Sequence, residues 1–194
     1  ATQVYSSDGK VLGTWNLNKE NRIVIPYKKM SPYLIKALVA TEDERFYEHS
    51  GIDFRALGRA IVKRGLLGQT NAGGGSTITQ QLAKTLYPRA DVSSRIPGFS
   101  KVKMVWIKLK EWITAVKLER DYTKNEILDM YLNAVFFGSS AYGVKAAAQT
   151  FFAKDPAELT VEESATLVGM VNKPTRYNPA LHPDKSLSRR NFVI

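Results

Sequence analysis

The sequence predicts a mainly α-helical, two-lobed domain with one small β-hairpin near its amino terminus. Three observations predict it. Apolar residues recur at helical spacing in almost every informative segment. The Thr-x-x-Glu capping box occurs at Thr123/Glu126 and again at Thr160/Glu163. Only "VYSSDGKVLGTW" alternates apolar and polar residues around a strong hairpin turn, Asp8-Gly9. There is no internal repeat, so the chain reads as a single domain over 1–194.

After the hairpin, Ser31-Pro32 has the form of an N-cap followed by proline at the first helical position. It opens a helix in which Tyr33, Leu34, Leu38 and Val39 share a face, ending at the acidic cluster Glu42-Asp43-Glu44. Asp53 is placed to cap "FRALGRAIVKRGLL", and "GQTNAGGGS" then reads as a mobile loop. Ser76 is the expected cap of "TITQQLAKTLY". Beyond a linker over 88–100 comes a long helix, "KVKMVWIKLKEWITAVKLERDY", with Val105, Leu109, Trp112, Ile113 and Val116 on one broad stripe. That stripe, with Trp106, predicts a helix set mostly in the core. The two capping boxes open "KNEILDMYLNAVFFG" and "VEESATLVGMV", a short helix lies between them in "YGVKAAAQTFF", and a basic amphipathic helix begins at "SRRNFVI".

Composition narrows the partners. The 28 lysines and arginines against 18 acidic residues leave +10, so an anionic partner is expected: nucleic acid, a phosphate-bearing substrate or an acidic membrane face. With no cysteine there is no thiolate nucleophile, disulfide framework or Cys-ligated metal. A nucleic-acid module should interleave aromatics with Lys and Arg on one face, whereas here the aromatics fall on apolar stripes. No stretch reads as a signal peptide or is apolar enough to span a bilayer. The abrupt ends, "ATQVYSSDGKVLG" and "SRRNFVI", read as a piece of a longer chain.

Three stretches carry candidate chemistry. In "VATEDERFYEHSGIDF" a solvated helix end accounts for Glu42, Asp43 and Glu44, but not for Phe46, Tyr47 and His49 following so closely. In "GGGSTITQQ" hydroxyls and amides crowd a helix amino terminus, where backbone N–H groups and the dipole suit an anionic oxygen; ordinary capping is the competing reading. No lysine stands where a nucleotide P-loop needs one. Lys108 and Glu111 share a helical face with Ala115 and Glu119, either as an exposed ion pair or as a cation and carboxylate beside the room that Ala115 leaves. Two carboxylates facing one sugar suit acid–base chemistry at an anomeric carbon, and the cationic surroundings suit a phosphorylated donor better than a neutral glycoside.

In order, "EDERFYEHSG", "GGSTITQQLAK", "KLKEWITAVKLE" followed by "KNEILDMYLN", then "YGVKAAAQTFF" and "NKPTRYNP" resemble the five motifs of the peptidoglycan glycosyltransferase domain, glycosyltransferase family 51, over Tyr33 to Pro179. The resemblance implies a lysozyme-like fold with a large lobe and a small membrane-associated jaw. It implies polymerisation of lipid II into β-1,4-linked glycan strands, on the outer face of a bacterial cytoplasmic membrane, by a domain anchored through an N-terminal helix absent from this sequence. A lysozyme-like glycan-cleaving enzyme is the rival; the Lys108/Glu111 pair and "GGSTITQQ" argue against it. Partners implied are lipid II, the growing glycan, the membrane surface, a C-terminal transpeptidase domain and moenomycin-type inhibitors, with no nucleic acid.

Residue by residue, Glu42 matches the general base that takes the acceptor 4-hydroxyl proton. Lys108 and Glu111 match the lysine and second glutamate, the lysine stabilising the departing lipid diphosphate. Asp43, Phe46 and His49 match residues that shape the cleft. Gly75, Ser76, Thr77, Gln80, Gln81 and Lys84 match the segment along the donor's diphosphate and sugar, and Glu119 and Asn133 are further substrate-binding candidates. The resemblance admits a divalent cation, Mg2+ or Mn2+, with Asp43 as its candidate ligand. Three departures stand out: Ile107 where arginine is usual, Thr85 where asparagine is usual, and Phe136-Phe137 where Tyr-Phe is commoner. The stretch before the third motif also looks longer than the family needs. It interleaves Ile96, Pro97, Phe99, Met104, Val105 and Trp106 with Arg95, Lys101 and Lys103, a composition that suits either the core or an anionic membrane surface.

Overall fold

A computed structural model describes residues 2–15, 21–65, 75–87 and 99–194. The hairpin is present: β1 (Thr2–Tyr5) pairs antiparallel with β2 (Val11–Trp15) across the Asp8-Gly9 turn. The remaining strands are two residues each, β3 (Asn21–Arg22) and β4 (Ala141–Tyr142), joined in parallel. Otherwise the described chain is helical: α1 (Pro32–Glu42), α2 (Phe54–Gly65), α3 (Ile78–Leu86), α4 (Phe99–Asp121), α5 (Lys124–Ala134), α6 (Val144–Phe152), α7 (Val161–Val171) and α8 (Pro183–Val193). Most of the "GQTNAGGGS" loop and of the linker before α4 lies outside the described residues, as does the side chain of Phe99.

Local signals explain most helix starts. Thr123/Glu126 and Thr160/Glu163 both form complete capping boxes. Asp53 accepts a hydrogen bond from the Ala56 amide at 2.8 Å, as expected of the α2 cap. Two starts differ from expectation by what their side chains do. Ser31 stands at the α1 cap position, but its hydroxyl donates to the Leu159 carbonyl at 2.9 Å, tying α1 to the segment before α7. The cap of α3 is Thr77, not Ser76, because the Thr77 hydroxyl accepts from the Gln80 amide and Ser76 is left one residue outside. The last helix starts earlier than "SRRNFVI", with His182 at the cap position and Pro183 in the first turn.

The core is built from α1, α3, α5, α6 and α7: Leu34, Leu38, Phe46, Ile78, Leu82, Ile127, Leu128, Leu132, Phe137 and Leu167 are all fully buried. The expectation that α4 is mostly core is overturned. Met104, Val105, Trp106, Leu109, Ile113 and Val116 are exposed, while Glu111 and Ala115 on the opposite stripe are buried. Spacing yields two stripes on a helix but not which of them faces the protein. Nor is Ala115 a spare space. Gly51 has φ +92, and a Cβ there would lie 2.8 Å from the Ala115 carbonyl, so the loop after α1 packs its bare backbone on α4.

Asn133 is engaged within the fold. Its carbonyl accepts from the Ile25 amide at 3.0 Å and its NH2 donates to the Ile25 carbonyl at 2.8 Å, pairing a non-repetitive segment as a strand would. The loop into α2 is held by Arg45, whose Nε donates to Asp53 at 3.1 Å while Nη2 donates to the other carboxylate oxygen. Burial raises Asp53, but the Ala56 amide and then Arg45 outweigh it, holding the carboxyl below its ordinary range.

Asn133→Ala should leave both buried Ile25 backbone groups unpaired, costing about 2–4 kcal/mol and lowering the melting temperature by roughly 5–15 °C, read by calorimetry. Asp53→Asn should lower the melting temperature at neutral pH. Because the folded-state value is depressed, that contribution is present above the unfolded carboxylate range and is lost as pH falls through the folded value. The difference between variant and parent should therefore close on acidification below about pH 4.

Candidate active site

The site assembles on the amino end of α3. Its first backbone N–H groups have no partners within the helix, and Asp43, at the end of α1, and Thr77, the cap of α3, supply acceptors. The Ile78 amide donates to Asp43 Oδ2 at 2.9 Å, and Thr77 Oγ1 donates to the Gly51 carbonyl at 2.7 Å while accepting from Gln80. Gln80 Nε2 adds a bond to the same carbonyl at 3.3 Å. His49 Nδ1 accepts from the Gly51 amide at 3.2 Å, which puts the ring proton on Nε2, 3.0 Å from both Asp43 oxygens. Below this loop Phe46 is fully buried, with the Lys124 ammonium 4.4 Å from its ring centroid. Lys124 also donates to the His49 carbonyl at 2.6 Å and to Glu119, which accepts from Thr79 at 2.6 Å as well.

Asp43, Phe46, His49, Thr77, Gln80 and Glu119 are thus brought together as the internal frame of the site. Gly75 also belongs to the frame, since a Cβ there would lie 3.2 Å from Ala60 Cβ on α2. Lys84 is exposed toward the far end of α3, and Asn133 is engaged with Ile25.

Three charged groups stand at the two ends of this frame. Glu42, the last residue of α1, accepts from Gln81 Nε2 at 3.0 Å through Oε2, and Gln81 Oε1 accepts from the Tyr131 hydroxyl at 2.8 Å. Burial, and then the charge of Glu42, push the Tyr131 phenol well above its ordinary range, so it stays a donor. On α4, Lys108 Nζ donates to Glu111 Oε2 at 2.9 Å and to Ser76 Oγ at 3.2 Å. This ion pair is not a solvated surface contact: the Glu111 side chain is 7% exposed and that of Lys108 35%. Glu42 is therefore reached from α3 through Gln81, and the Lys108–Glu111 pair through Ser76, five residues and roughly a turn and a half away. Freed from capping, the Ser76 hydroxyl stands with a lysine at a helix amino terminus, a combination suited to anionic oxygens.

Sequence reasoning missed Arg189. On α8, its Nη2 lies 3.9 Å from Glu42 Oε1, and its guanidinium lies over the rings of Tyr177 and Phe192. Gly169 on α7 makes the seat, because a Cβ there would come within 3.0 Å of Arg189 Cγ. The only sequence signal was the basic helix, which does not say what it faces. A resident metal on Asp43 does not fit these residues. Both its oxygens face His49, and one also holds the α3 amino end. Among the described residues no group of three or more His, Cys, Asp or Glu side chains is arranged to hold an ion.

Comparison with known proteins agrees with this architecture. A transglycosylase family model matches residues 8–194. Penicillin-binding protein 1A of Aquifex aeolicus is 40% identical over 194 residues, all of this chain and 25% of that protein. Penicillin-binding protein 1F of Bacillus subtilis is 41% identical over 92% of this chain and 23% of its own length, and penicillin-binding protein 1A of Escherichia coli 37% identical over 99% and 21%. The chain thus spans about a quarter of the length of the curated relatives it matches. The crystal structure of penicillin-binding protein 1A from Haemophilus influenzae superposes with a TM-score of 0.50 at 26% identity, over 98% of this chain and 17% of that one. With a helical fold and the first three motifs packed on α3, the chain belongs to the transglycosylase family.

Proposed function

We propose that this domain extends peptidoglycan glycan strands from lipid II at a membrane surface, with Glu42 as the proton acceptor and Lys108 beside the leaving diphosphate. The observation that carries the reading is the division of charge around α3: a carboxylate held by Gln81 at one end, and an ammonium shared by Ser76 and Glu111 at the other. Oxygen O4 of the acceptor sugar attacks the donor anomeric carbon, its proton passes to Glu42, and the bond from that carbon to the diphosphate oxygen breaks with inversion. Lys108, the Ser76 hydroxyl and the helix end stabilise the charge that develops on the leaving diphosphate. Glu111 holds Lys108 in place. With Arg absent at Ile107, that site relies on Lys108 and Ser76 among the described residues. A moenomycin-type phosphoglycolipid should compete for the same diphosphate position. A glycan-cleaving enzyme of the lysozyme kind would have no use for this cationic end.

The exposed stripe of α4 supports a membrane-facing surface. Met104, Val105, Trp106, Leu109 and Ile113, with Ile61 and Val62 of α2, are exposed, and basic Arg59 and Lys110 lie among them in sequence. Among the described residues no helix is long and apolar enough to cross a membrane. Attachment to the outer face of the cytoplasmic membrane would use this stripe. The greater length and the names of the relatives support a penicillin-reactive transpeptidase domain in a longer chain.

Glu42→Gln should reduce conversion of labelled lipid II into glycan by roughly 100- to 10,000-fold with an unchanged melting temperature; retained polymerisation would end the assignment. Met104→Ser combined with Ile113→Ser should weaken binding to anionic liposomes with the melting temperature nearly unchanged, since both side chains are more than half exposed. A large loss of thermal stability with unaltered liposome binding would show the stripe to be packing surface.

A further inference from the structure

We infer that Tyr131 is a positioning residue for Glu42, acting through the side-chain amide of Gln81. The inference rests on the reading of Glu42 as proton acceptor and adds a residue that never meets the substrate. Tyr131 lies on α5 and is 1% exposed, so its hydroxyl reaches nothing outside the protein. That hydroxyl donates to Gln81 Oε1 at 2.8 Å, and Gln81 Nε2 donates to Glu42 Oε2 at 3.0 Å.

The directionality is what matters. A glutamine amide has one end that only accepts and one that only donates. A phenol donating into the oxygen leaves the nitrogen for Glu42; the flipped amide would set a carbonyl oxygen against the carboxylate. Glu42, which can only accept, selects the amide nitrogen, and Tyr131, by donating into Gln81 Oε1, holds that choice in place. Because burial and the nearby carboxylate keep the phenol protonated, that choice holds throughout the neutral range. It also differentiates the two carboxylate oxygens. Oε2 is engaged by Gln81, whereas Oε1 has, among the described residues, the Arg189 guanidinium at 3.9 Å, beyond hydrogen-bonding distance, and so is the oxygen left to take a proton. The bonded oxygen fixes the plane of the group and thereby aims the other one. Phenylalanine at 131 would fill the same space but leave Gln81 Oε1 without its donor, so the amide would be held at Glu42 alone.

The test is steady-state polymerisation of labelled lipid II by Tyr131→Phe, Gln81→Met, the double variant and Glu42→Gln, each with its melting temperature. Tyr131→Phe should lower kcat by about tenfold or more while KM changes by less than about twofold, as expected when a reacting group is misaimed and binding is untouched. Gln81→Met should lose at least as much. The double variant should be no worse than Gln81→Met alone, because the amide is the hydrogen-bonded link between Tyr131 and Glu42. Multiplying losses in the double variant, or a Tyr131→Phe chain with unaltered kcat beside an inactive Glu42→Gln chain, would overturn the inference and leave the assignment of Glu42 standing. An active Glu42→Gln chain would overturn both. Should Tyr131→Phe fail to fold, Gln81→Met decides: a kcat loss at constant KM supports the positioning role, and a change in KM alone refutes it.

Discussion

The constraint on which the site depends is the unpaired amino end of α3. A helix buried at that end must find acceptors for its first N–H groups, and here they come from Asp43 and Thr77. Meeting that requirement pulls the loop after α1 onto α3. Asp43 lies next to Glu42 in sequence, so a carboxylate that stabilises the helix end places its neighbour beside Gln81, one turn further along the same helix. The same end of α3 carries Ser76, and through it Lys108 and Glu111. A single helix terminus thus fixes the loop of the first motif, both glutamates and the cation, which explains why so many polar residues of this region are buried and paired.

Helix α4 turns the usual arrangement around. Its charged stripe, with Glu111 and Ala115 buried, faces α3 and the Gly51 loop, while its apolar stripe faces outward. Burying Glu111 is tolerable because Lys108 shares its charge at 2.9 Å, and Glu119 is likewise shared by Lys124 and Thr79. An outward apolar stripe is costly in water and cheap at a lipid interface, where the substrate of a glycosyltransferase using a lipid-linked donor is found. The inversion thus leaves an exposed apolar stripe on the side of α4 opposite the Lys108–Glu111 pair's buried carboxylate.

What the sequence made legible was local. The Asp8-Gly9 hairpin, the Asp53 cap and the two capping boxes are each written within a few residues, and all are present. The Ser76/Thr77 cap was displaced by one residue, which is the limit of what cap chemistry can resolve between adjacent hydroxyls. The five motifs identified the family because their order is itself information. The orientation of α4 was not legible, since periodicity marks a stripe without naming its neighbour. Nor were the long-range partners: nothing in the spacing of Tyr131, Gln81 and Arg189 foretells that they converge on Glu42 from α5, α3 and α8.

We propose that the amino end of α3 separates proton acceptance at Glu42 from diphosphate departure at Lys108. The most direct measurement is a crystal structure of the domain with a non-hydrolysable, diphosphate-linked disaccharide donor and an acceptor sugar. Diphosphate oxygens should lie within hydrogen-bonding distance of Lys108 Nζ and Ser76 Oγ, with an acceptor hydroxyl on Glu42 Oε1. A diphosphate bound away from the amino end of α3, or an acceptor hydroxyl remote from Glu42, would contradict it.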